Sequence, residues 1–238
     1  MYLGEDTMSG EYFDTGNDHR IIFSINVLRN AIKLLKSKKI GELKRYSFEN
    51  KMEEMLNLLN QIRYSYLPKK ELVASEPFSK LIELASELYS WLMEKYRDLV
   101  KVQENTVKWL RFVLRNIMSL KERILNYPDK PSSAVQYCFV KVLSVIKHPK
   151  ADKLWLTSVT DGAEKFDVIT NDSSVRSNDV LLIAFLPPKE FGGIVSEGMF
   201  LGPDGIRKST EKEIGASPEL SQSEEKKILA AIYDFLRK

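Results

Sequence analysis

The sequence predicts an α+β protein made of an all-α helical bundle followed by a small five-stranded β-barrel and a closing helix. Residues 20–127 contain one glycine and two prolines, whereas residues 131–218 hold most of the glycines and prolines between short β-branched runs. A scarcity of glycine and proline is typical of helices, and frequent glycines and prolines are typical of strands joined by turns. A length of 238 residues suits one large domain or two small ones. We therefore expect four regions: a flexible polar arm (1–19), the helical bundle (20–130), the barrel (131–210) and a C-terminal extension with a helix (211–238).

The bundle is predicted from apolar residues that recur at three- and four-residue steps. The first such stripe covers residues 21–35, and the lysines after it suit a helix C-terminus, with Gly41 at the C′ position. A second helix is expected over residues 42–66. A third begins near Pro77, which suits a first helical turn, and a fourth, either separate or continuous with it, ends at Tyr127.

The barrel is predicted from five short apolar runs separated by turn signals. Asp161 and Gly162 form the strongest of these turn signals. After the last run, Ser221 and Glu224 have the spacing of a capping box at the start of the closing helix. The five runs cover residues 135–146, 154–159, 166–170, 180–185 and 194–201.

Composition excludes several classes of protein. The net charge of +3 excludes a polycation that coats nucleic acid. A single cysteine, Cys138, excludes an internal disulfide, and with only two histidines, His19 and His148, no zinc site or other cofactor is expected. There is no apolar run of membrane-spanning length and no targeting signal, so we expect a cytoplasmic protein.

Two motifs carry a resemblance to a known family. The first is His148-Pro-Lys-Ala-Asp-Lys-Leu154, and the second is Gly193-Ile-Val-Ser-Glu-Gly-Met199. Their order and separation resemble those of the tRNA-binding OB-fold domain found in endothelial monocyte-activating polypeptide II, at the C-terminus of methionyl-tRNA synthetases, and in free-standing bacterial and archaeal proteins. The resemblance covers about residues 134–205. Residues 168–172 depart from it, because they lack a glycine that many members carry after the third strand.

The resemblance implies a five-stranded OB-fold β-barrel that binds tRNA by its folded shape. We then expect lysines to contact phosphates along the RNA backbone, and both motifs to supply polar or apolar contacts. An aminoacyl-tRNA synthetase partner and a homodimer stay open, since the free-standing relatives are often dimers. The expected RNA-binding residues are Lys147, His148, Lys150, Lys153, Asn171, Ser196 and Met199.

Several of these side chains have a structural alternative. His148 also suits a hydrogen bond within a turn, and Asp152 suits fixing the loop by accepting backbone N–H groups. The lysines also suit a solvated loop, and Met199 also suits the core. Trp155 suits base stacking, but inside a strand it is more often a core residue.

The bundle has its own candidates. Trp91 and Trp109 lie on apolar stripes and are expected to pack. Lys108, Arg111 and Arg115 share one helical face, which we expect to be solvated. Charge differs between the two halves: residues 133–238 hold 14 Lys/Arg against 15 Asp/Glu, whereas residues 1–132 hold 22 against 18. Because phosphate neutralisation supplies most nonspecific affinity, the helical half is expected to help an acidic-leaning barrel bind RNA.

No motif points to an enzyme. The phosphate-binding patterns G-x-x-x-x-G-K-[ST] and G-x-G-x-x-G, the nucleophile pattern G-x-S-x-G and the catalytic motifs of synthetases are missing from the sequence. The main alternative to tRNA binding is a chaperone or scaffold that binds polypeptide, because the same module resembles that of an export-related chaperone family. A further alternative is an interaction module of a synthetase complex, with the bundle as the functional half.

Overall fold

The computed structural model describes residues 13–38, 40–202 and 205–237. The predicted polar arm lies mostly outside the described residues. The part that is described packs on the bundle, since Phe13 and Thr15 are buried and the Thr15 hydroxyl donates to the Arg63 carbonyl at 2.8 Å. The helical half contains α1 (His19–Ser37), α2 (Gly41–Arg45), α3 (Phe48–Arg63), α4 (Lys69–Ala74), α5 (Glu76–Met118) and α6 (Leu120–Asn126).

Two predicted helix boundaries are wrong. Helix α1 is capped at Lys38, whose N–H bonds to the Leu34 carbonyl, so Gly41 begins α2 instead of terminating α1. The single helix predicted over residues 42–66 is divided into α2 and α3 at Ser47. The backbone of Ser47 is left-handed, with φ of 55°, which ends one helix before the buried Phe48 begins the next.

Helix α5 folds back on itself. Gln103 has non-helical angles, φ −150° and ψ 63°, in the middle of the element. Tyr89 and Arg111 both bond to Glu164, although a straight helix would separate two residues so far apart in sequence by about 33 Å. The predicted third helix is therefore the first segment of α5, and the predicted fourth is the second segment, after Gln103, followed by the separate helix α6 beyond Ser119.

The second half is an antiparallel sheet with the predicted five strands. Its order is β3-β2-β1-β4-β5, and the short β6 pairs with β4. The backbone ladder does not close between β3 and β5 within the described residues. Side chains bridge this gap instead: the Ile169 N–H donates to the Ser196 hydroxyl at 3.0 Å, and the Asp167 N–H donates to the Glu197 carboxylate at 3.1 Å. The strands are β1 (Tyr137–Lys147), β2 (Trp155–Thr160), β3 (Lys165–Thr170), β4 (Val180–Phe191), β5 (Ile194–Phe200) and β6 (Lys208–Ser209).

Over residues 137–140 of β1 and 180–185 of β4, the strands are apolar on both faces because each face packs against a different core. One face points into the sheet's own core and carries Cys138, Val140, Leu181, Ile183 and Phe185. The other face joins the core of the helical domain and carries Tyr137, Phe139, Val180, Leu182 and Ala184. Burial on both faces explains why residues 180–185 form an unbroken apolar run. The helical half and the outer face of the sheet therefore share one hydrophobic core, and the sheet has a second core of its own.

The C-terminal extension ties the sheet to the helices. The Gly215 N–H donates to the Phe139 carbonyl at 2.8 Å, so this segment lies along a free edge of β1. Helix α7 (Gln222–Ile232) begins with the predicted Ser221–Glu224 capping box. Beyond its end, the Phe235 carbonyl accepts from the Asn26 side chain of α1 at 2.9 Å. None of the described helices has the length and apolar character needed to cross a bilayer.

Candidate nucleic-acid interface

The loop between β1 and β2, residues 147–154, is held to the β4–β5 turn by His148; we call it the lysine loop. The His148 side chain is buried, and its Nδ1 accepts the Lys150 N–H at 3.1 Å. Its Nε2 therefore carries the proton and donates to the Phe191 carbonyl at 2.9 Å. The ring also needs Gly192, which has φ of +57° and where a Cβ would lie 2.8 Å from the imidazole Cε1. His148 thus acts as a latch between two loops.

The lysines of this loop lie on its surface. The Lys147 side chain is 64% exposed, and Lys150 and Lys153 are also exposed. Asp152 is almost fully exposed and lies 3.5 Å from the Lys147 ammonium, so the expectation that its carboxylate fixes the loop backbone is wrong. The Lys150 ammonium extends to the β4–β5 turn, where it would lie 3.5 Å from a Cβ built on Gly193. The latch thus brings three ammonium groups to one end of the sheet.

Strand register places further side chains at this end. Lys147 pairs with Trp155 across β1 and β2, and Trp155 pairs with Thr170 across β2 and β3. The exposed Asn171 follows directly. Trp155 lies on the same face as the buried Thr157 but is only half-buried, because it stands at the end of its strand beside the loop. Trp155 was not among the expected RNA contacts, and it becomes a candidate because the strand register places it beside Lys147.

Three of the expected contacts have structural roles. The buried Ser196 hydroxyl donates to the Gly198 carbonyl and accepts the Ile169 N–H, both at 3.0 Å, so it ties β5 to β3. Met199 packs against the core shared with the helices. His148 has both ring nitrogens engaged by backbone groups. His148 and Ser196 are buried with their polar atoms engaged, and Met199 is half-buried. The exposed residues among those expected are Lys147, Lys150, Lys153 and Asn171, and the half-buried Trp155 joins them as a candidate.

The expected solvated basic face of α5 is wrong, because it is an interface. Lys108 is buried and donates to the Asp167 carboxylate at 2.9 Å and to the Val195 carbonyl at 3.0 Å. Asp167 belongs to β3 and Val195 to β5. One ammonium group therefore spans the two edges at which the ladder fails to close. We call this cation-filled gap between β3 and β5 the seam.

Two arginines extend the seam. Arg111 donates to Glu164 at 2.6 Å, to the Lys165 carbonyl at 2.8 Å and to Glu197 at 3.3 Å. Arg115 donates to Asp161 at 2.9 Å. Burial and these cations together lower the pKa of some of the carboxylates and raise that of another.

Burial alone would raise the pKa of Asp161 and of Glu164. For Asp161, hydrogen bonds from backbone N–H groups and the charge of Arg115 outweigh burial and lower the pKa. For Glu164, the hydrogen bond from Tyr89 and the charges of both arginines do the same. For Glu197, burial dominates over Arg111 and Lys108 and raises the pKa.

The seam changes the charge that the sheet domain presents to a ligand. Four of its carboxylates, Asp161, Glu164, Asp167 and Glu197, contact cations of α5. Without these four, the 14 Lys/Arg of residues 133–238 stand against 11 Asp/Glu instead of 15. The excess of acidic residues counted from the sequence therefore lies at the seam, and the rest of residues 133–238 hold more basic than acidic side chains. The cations Lys108, Arg111 and Arg115 are correspondingly engaged within the chain.

Comparison with known proteins divides the chain at the same place as the fold. Residues 138–224 match the family described as "Putative tRNA binding domain", and residues 12–126 match a family described as "Alpha helical domain". The first match covers the sheet, the lysine loop and the start of α7. The second covers the described part of the bundle as far as α6.

Relatives of the chain are tRNA ligases. The phenylalanine–tRNA ligase beta subunit of Leptospira biflexa is 32% identical over 91 residues, which is 34% of this chain and 10% of the relative. The methionine–tRNA ligase of Pyrococcus furiosus is 27% identical over 136 residues, 49% of this chain and 19% of the relative. That of Parabacteroides distasonis is 37% identical over 71 residues, 27% of this chain and 10% of the relative. The chain thus spans less than a fifth of the length of each of these relatives.

Proposed function

We propose that this chain, in which an OB-fold domain of the tRNA-binding family is packed against a helical domain, binds tRNA through the end of the sheet that carries the lysine loop. Two findings about the same segment support the proposal. The segment that matches the tRNA-binding family is also the segment in which the His148 latch gathers three exposed lysines.

The proposed chemistry is backbone recognition with one stacking contact. Lys147, Lys150 and Lys153 neutralise phosphates, which favours association and makes it sensitive to salt. Trp155 offers part of its ring to a base or ribose, and Asn171 offers an amide for a hydrogen bond. Ammonium groups on a loop recognise where phosphates lie in space rather than base identity. We therefore propose recognition of the folded shape of tRNA.

The proposal extends to the whole chain. We propose a binding protein without catalytic activity, located in the cytoplasm with its ligand, and associated with an aminoacyl-tRNA synthetase. The tRNA ligases that resemble it support this association, because the similar segment is a small part of each. We propose a monomer rather than a homodimer, because residues around Gly215 already occupy an edge of β1 and β6 pairs with β4. A polypeptide-binding chaperone role is not favoured by these relatives.

The test is a titration of fluorescently labelled total tRNA with the full chain, followed by anisotropy at salt concentrations from roughly 0.05 to 0.2 M. If the three lysines each contact a phosphate, the slope of log affinity against log salt is about −2 to −3. An unstructured RNA of the same length serves as the control for shape recognition. No binding at the lowest salt, or binding without a salt slope, overturns the proposal.

A further inference from the structure

A second surface that combines aromatic and cationic side chains lies at the turn between α3 and α4. Its sequence is Arg63-Tyr-Ser-Tyr-Leu-Pro-Lys-Lys70, and we call it the tyrosine turn. The side chains of Tyr64 and Tyr66 are 62% and 47% exposed, which places them among the most exposed large apolar residues of the described chain. The function proposed above uses neither tyrosine.

The backbone of the tyrosine turn is held in an unusual conformation by the segment before α1. Tyr66 has φ of 52°, a left-handed value that is rare for a bulky side chain. The buried Thr15 hydroxyl accepts the Tyr66 N–H at 3.2 Å and donates to the Arg63 carbonyl at 2.8 Å. Strain of this kind persists where the surroundings impose it, and it is concentrated at functional sites. In this turn, the constrained backbone holds the side chains of both tyrosines at the surface.

Tyr64 has one ring face occupied and is otherwise largely open to solvent. The Arg63 guanidinium carbon lies 5.5 Å from the centre of the Tyr64 ring, in a cation–π contact. Arg63 is itself fixed, because its Nε donates to the Gly16 carbonyl at 3.2 Å. A ring backed by a fixed guanidinium loses little freedom when a second flat group stacks on it. The pair is therefore a ready platform for a nucleobase.

The charge beside the platform favours RNA over protein. Lys69 and Lys70 follow the tyrosines, and Lys70 is exposed. Lys69 pairs with Asp129 at 2.5 Å. Tyrosine and arginine are enriched both in protein interfaces and in sites for single-stranded nucleic acid, but lysine is depleted in protein interfaces. Aromatic stacking combined with cations that follow a phosphate backbone is the mode by which proteins bind unpaired nucleotides.

The tyrosine turn contacts the segment that precedes β1, whereas the lysine loop follows β1. The contact of Lys69 with Asp129 places the turn beside the segment that leads into β1 at Tyr137. The lysine loop begins at the other end of the strand, at Lys147. The strand alone spans about 33 Å. This distance corresponds to roughly ten steps of a nucleic-acid duplex, so one folded RNA can reach both surfaces with different parts.

We propose that the tyrosine turn is a second RNA-binding site that stacks unpaired bases of the same tRNA held by the lysine loop. This inference rests on the proposed function, since it assigns the second contact of one ligand. Tyr64 supplies the stacking surface, Arg63 backs its ring, and Lys70 contacts a neighbouring phosphate. Thr15 and Gly16 act as positioning residues.

The experiment compares tRNA affinity of the full chain with that of Tyr64→Ala, Tyr64→Phe and Tyr233→Ala. Tyr233 is a matched control, because it is 58% exposed and Arg237 lies over its ring at 4.7 Å. We expect Tyr64→Ala to weaken binding at least about fivefold, with little change in salt slope. Tyr64→Phe, which keeps the ring, and Tyr233→Ala should bind like the unmodified chain. Circular dichroism melting confirms that all variants are folded at the assay temperature.

The outcomes separate this inference from the proposed function. If the unmodified chain binds tRNA and Tyr64→Ala binds equally well, the tyrosine turn is not an RNA site, although the lysine loop still stands. Equal weakening by Tyr64→Ala and Tyr233→Ala also overturns the inference. Unchanged tRNA affinity with loss of a co-purifying protein assigns the turn to a protein partner instead. Failure of the unmodified chain to bind tRNA removes the proposed function itself.

Discussion

The guanidinium of Arg111 donates to the carboxylate of Glu164 at 2.6 Å and so joins the second segment of α5 to the start of the sheet's third strand. The same side chain reaches Glu197 on β5 at 3.3 Å and lies 4.1 Å from the centre of the Phe166 ring. Arg111 is only 3% exposed. The seam, at which α5 contacts β3 and β5, is therefore built around a buried charge with partners at both strands.

Removal of the charge at Arg111 should be costly. Arg111→Met removes one cationic partner from each of the shielded carboxylates Glu164 and Glu197. Breaking a buried ion pair typically costs about 3–5 kcal/mol of stability. We expect the free energy of unfolding, measured by urea titration, to fall by about 3 kcal/mol or more. Arg97→Met, at an exposed position of the same helix, serves as the control and should change stability little. A loss below about 0.5 kcal/mol for Arg111→Met would show that the seam contributes little.

Acid should loosen the seam. The pKa values of Asp161 and Glu164 are lowered in the folded chain, so both groups contribute stability above their unfolded pKa values of about 4, and this stability is lost as the pH falls through the folded values. Glu197 has a raised pKa and works in the opposite direction, so it offsets part of the loss. We expect the melting temperature to drop steeply below about pH 4. The variant Asp161→Asn should be less stable near neutral pH and show a shallower drop, and a parallel pH profile would contradict this assignment.

The His148 latch should control the loop without touching RNA. His148→Ala leaves the Lys150 N–H and the Phe191 carbonyl without their partner, which costs about 1–3 kcal/mol in a buried setting. We expect faster hydrogen exchange at the Lys150 amide and weaker tRNA binding with an unchanged salt slope. His148→Gln retains an acceptor and a donor and should restore part of both. If exchange at Lys150 does not change while tRNA affinity falls, His148 contacts the RNA directly.

The lysine loop should account for most of the salt dependence. Replacement of Lys150 and Lys153 by glutamate reverses two charges at the proposed phosphate contacts, and we expect affinity for tRNA to fall about tenfold or more, with a slope shallower by about two units. The double variant Lys212→Glu and Lys226→Glu makes the same charge change at exposed positions outside the loop and should bind more tightly than the loop variant. Equal losses in the two double variants would assign the effect to net charge alone.

Local patterns in the sequence predicted the elements that depend on local interactions. The five strands and the α7 capping box follow from alternation, turn residues and a Ser–Glu spacing, all within a few residues. The break at Ser47 was not predicted, and the break near Gln103 was only one of two alternatives, because neither residue is a glycine or a proline. Local propensity therefore does not account for the non-helical angles at these positions.

The seam was not predictable because periodicity shows which side chains share a helical face but not what that face meets. Lys108, Arg111 and Arg115 share one face of α5, and the carboxylates of the sheet domain that accept their hydrogen bonds lie 46 to 86 residues away in sequence. The role of Ser196 in joining β5 to β3 was missed for the same reason, whereas core packing of Met199 was one of the two alternatives that the sequence offered. Their motif resembles that of a binding family, but the spacing does not show which of its residues hold the strands together.

The sheet domain should not be stable without the helical domain. A fragment of residues 131–238 keeps the family motifs but exposes the outer face of β1 and β4, including Phe139 and Leu182, which are almost fully buried in the full chain. It also opens the seam, leaving the buried Glu197 without cations from α5. Exposed contiguous apolar surface of this kind promotes association. We expect the fragment to be aggregated or partly unfolded in size-exclusion chromatography and near-UV circular dichroism, whereas a monomeric fragment with native spectra would show that the seam is dispensable.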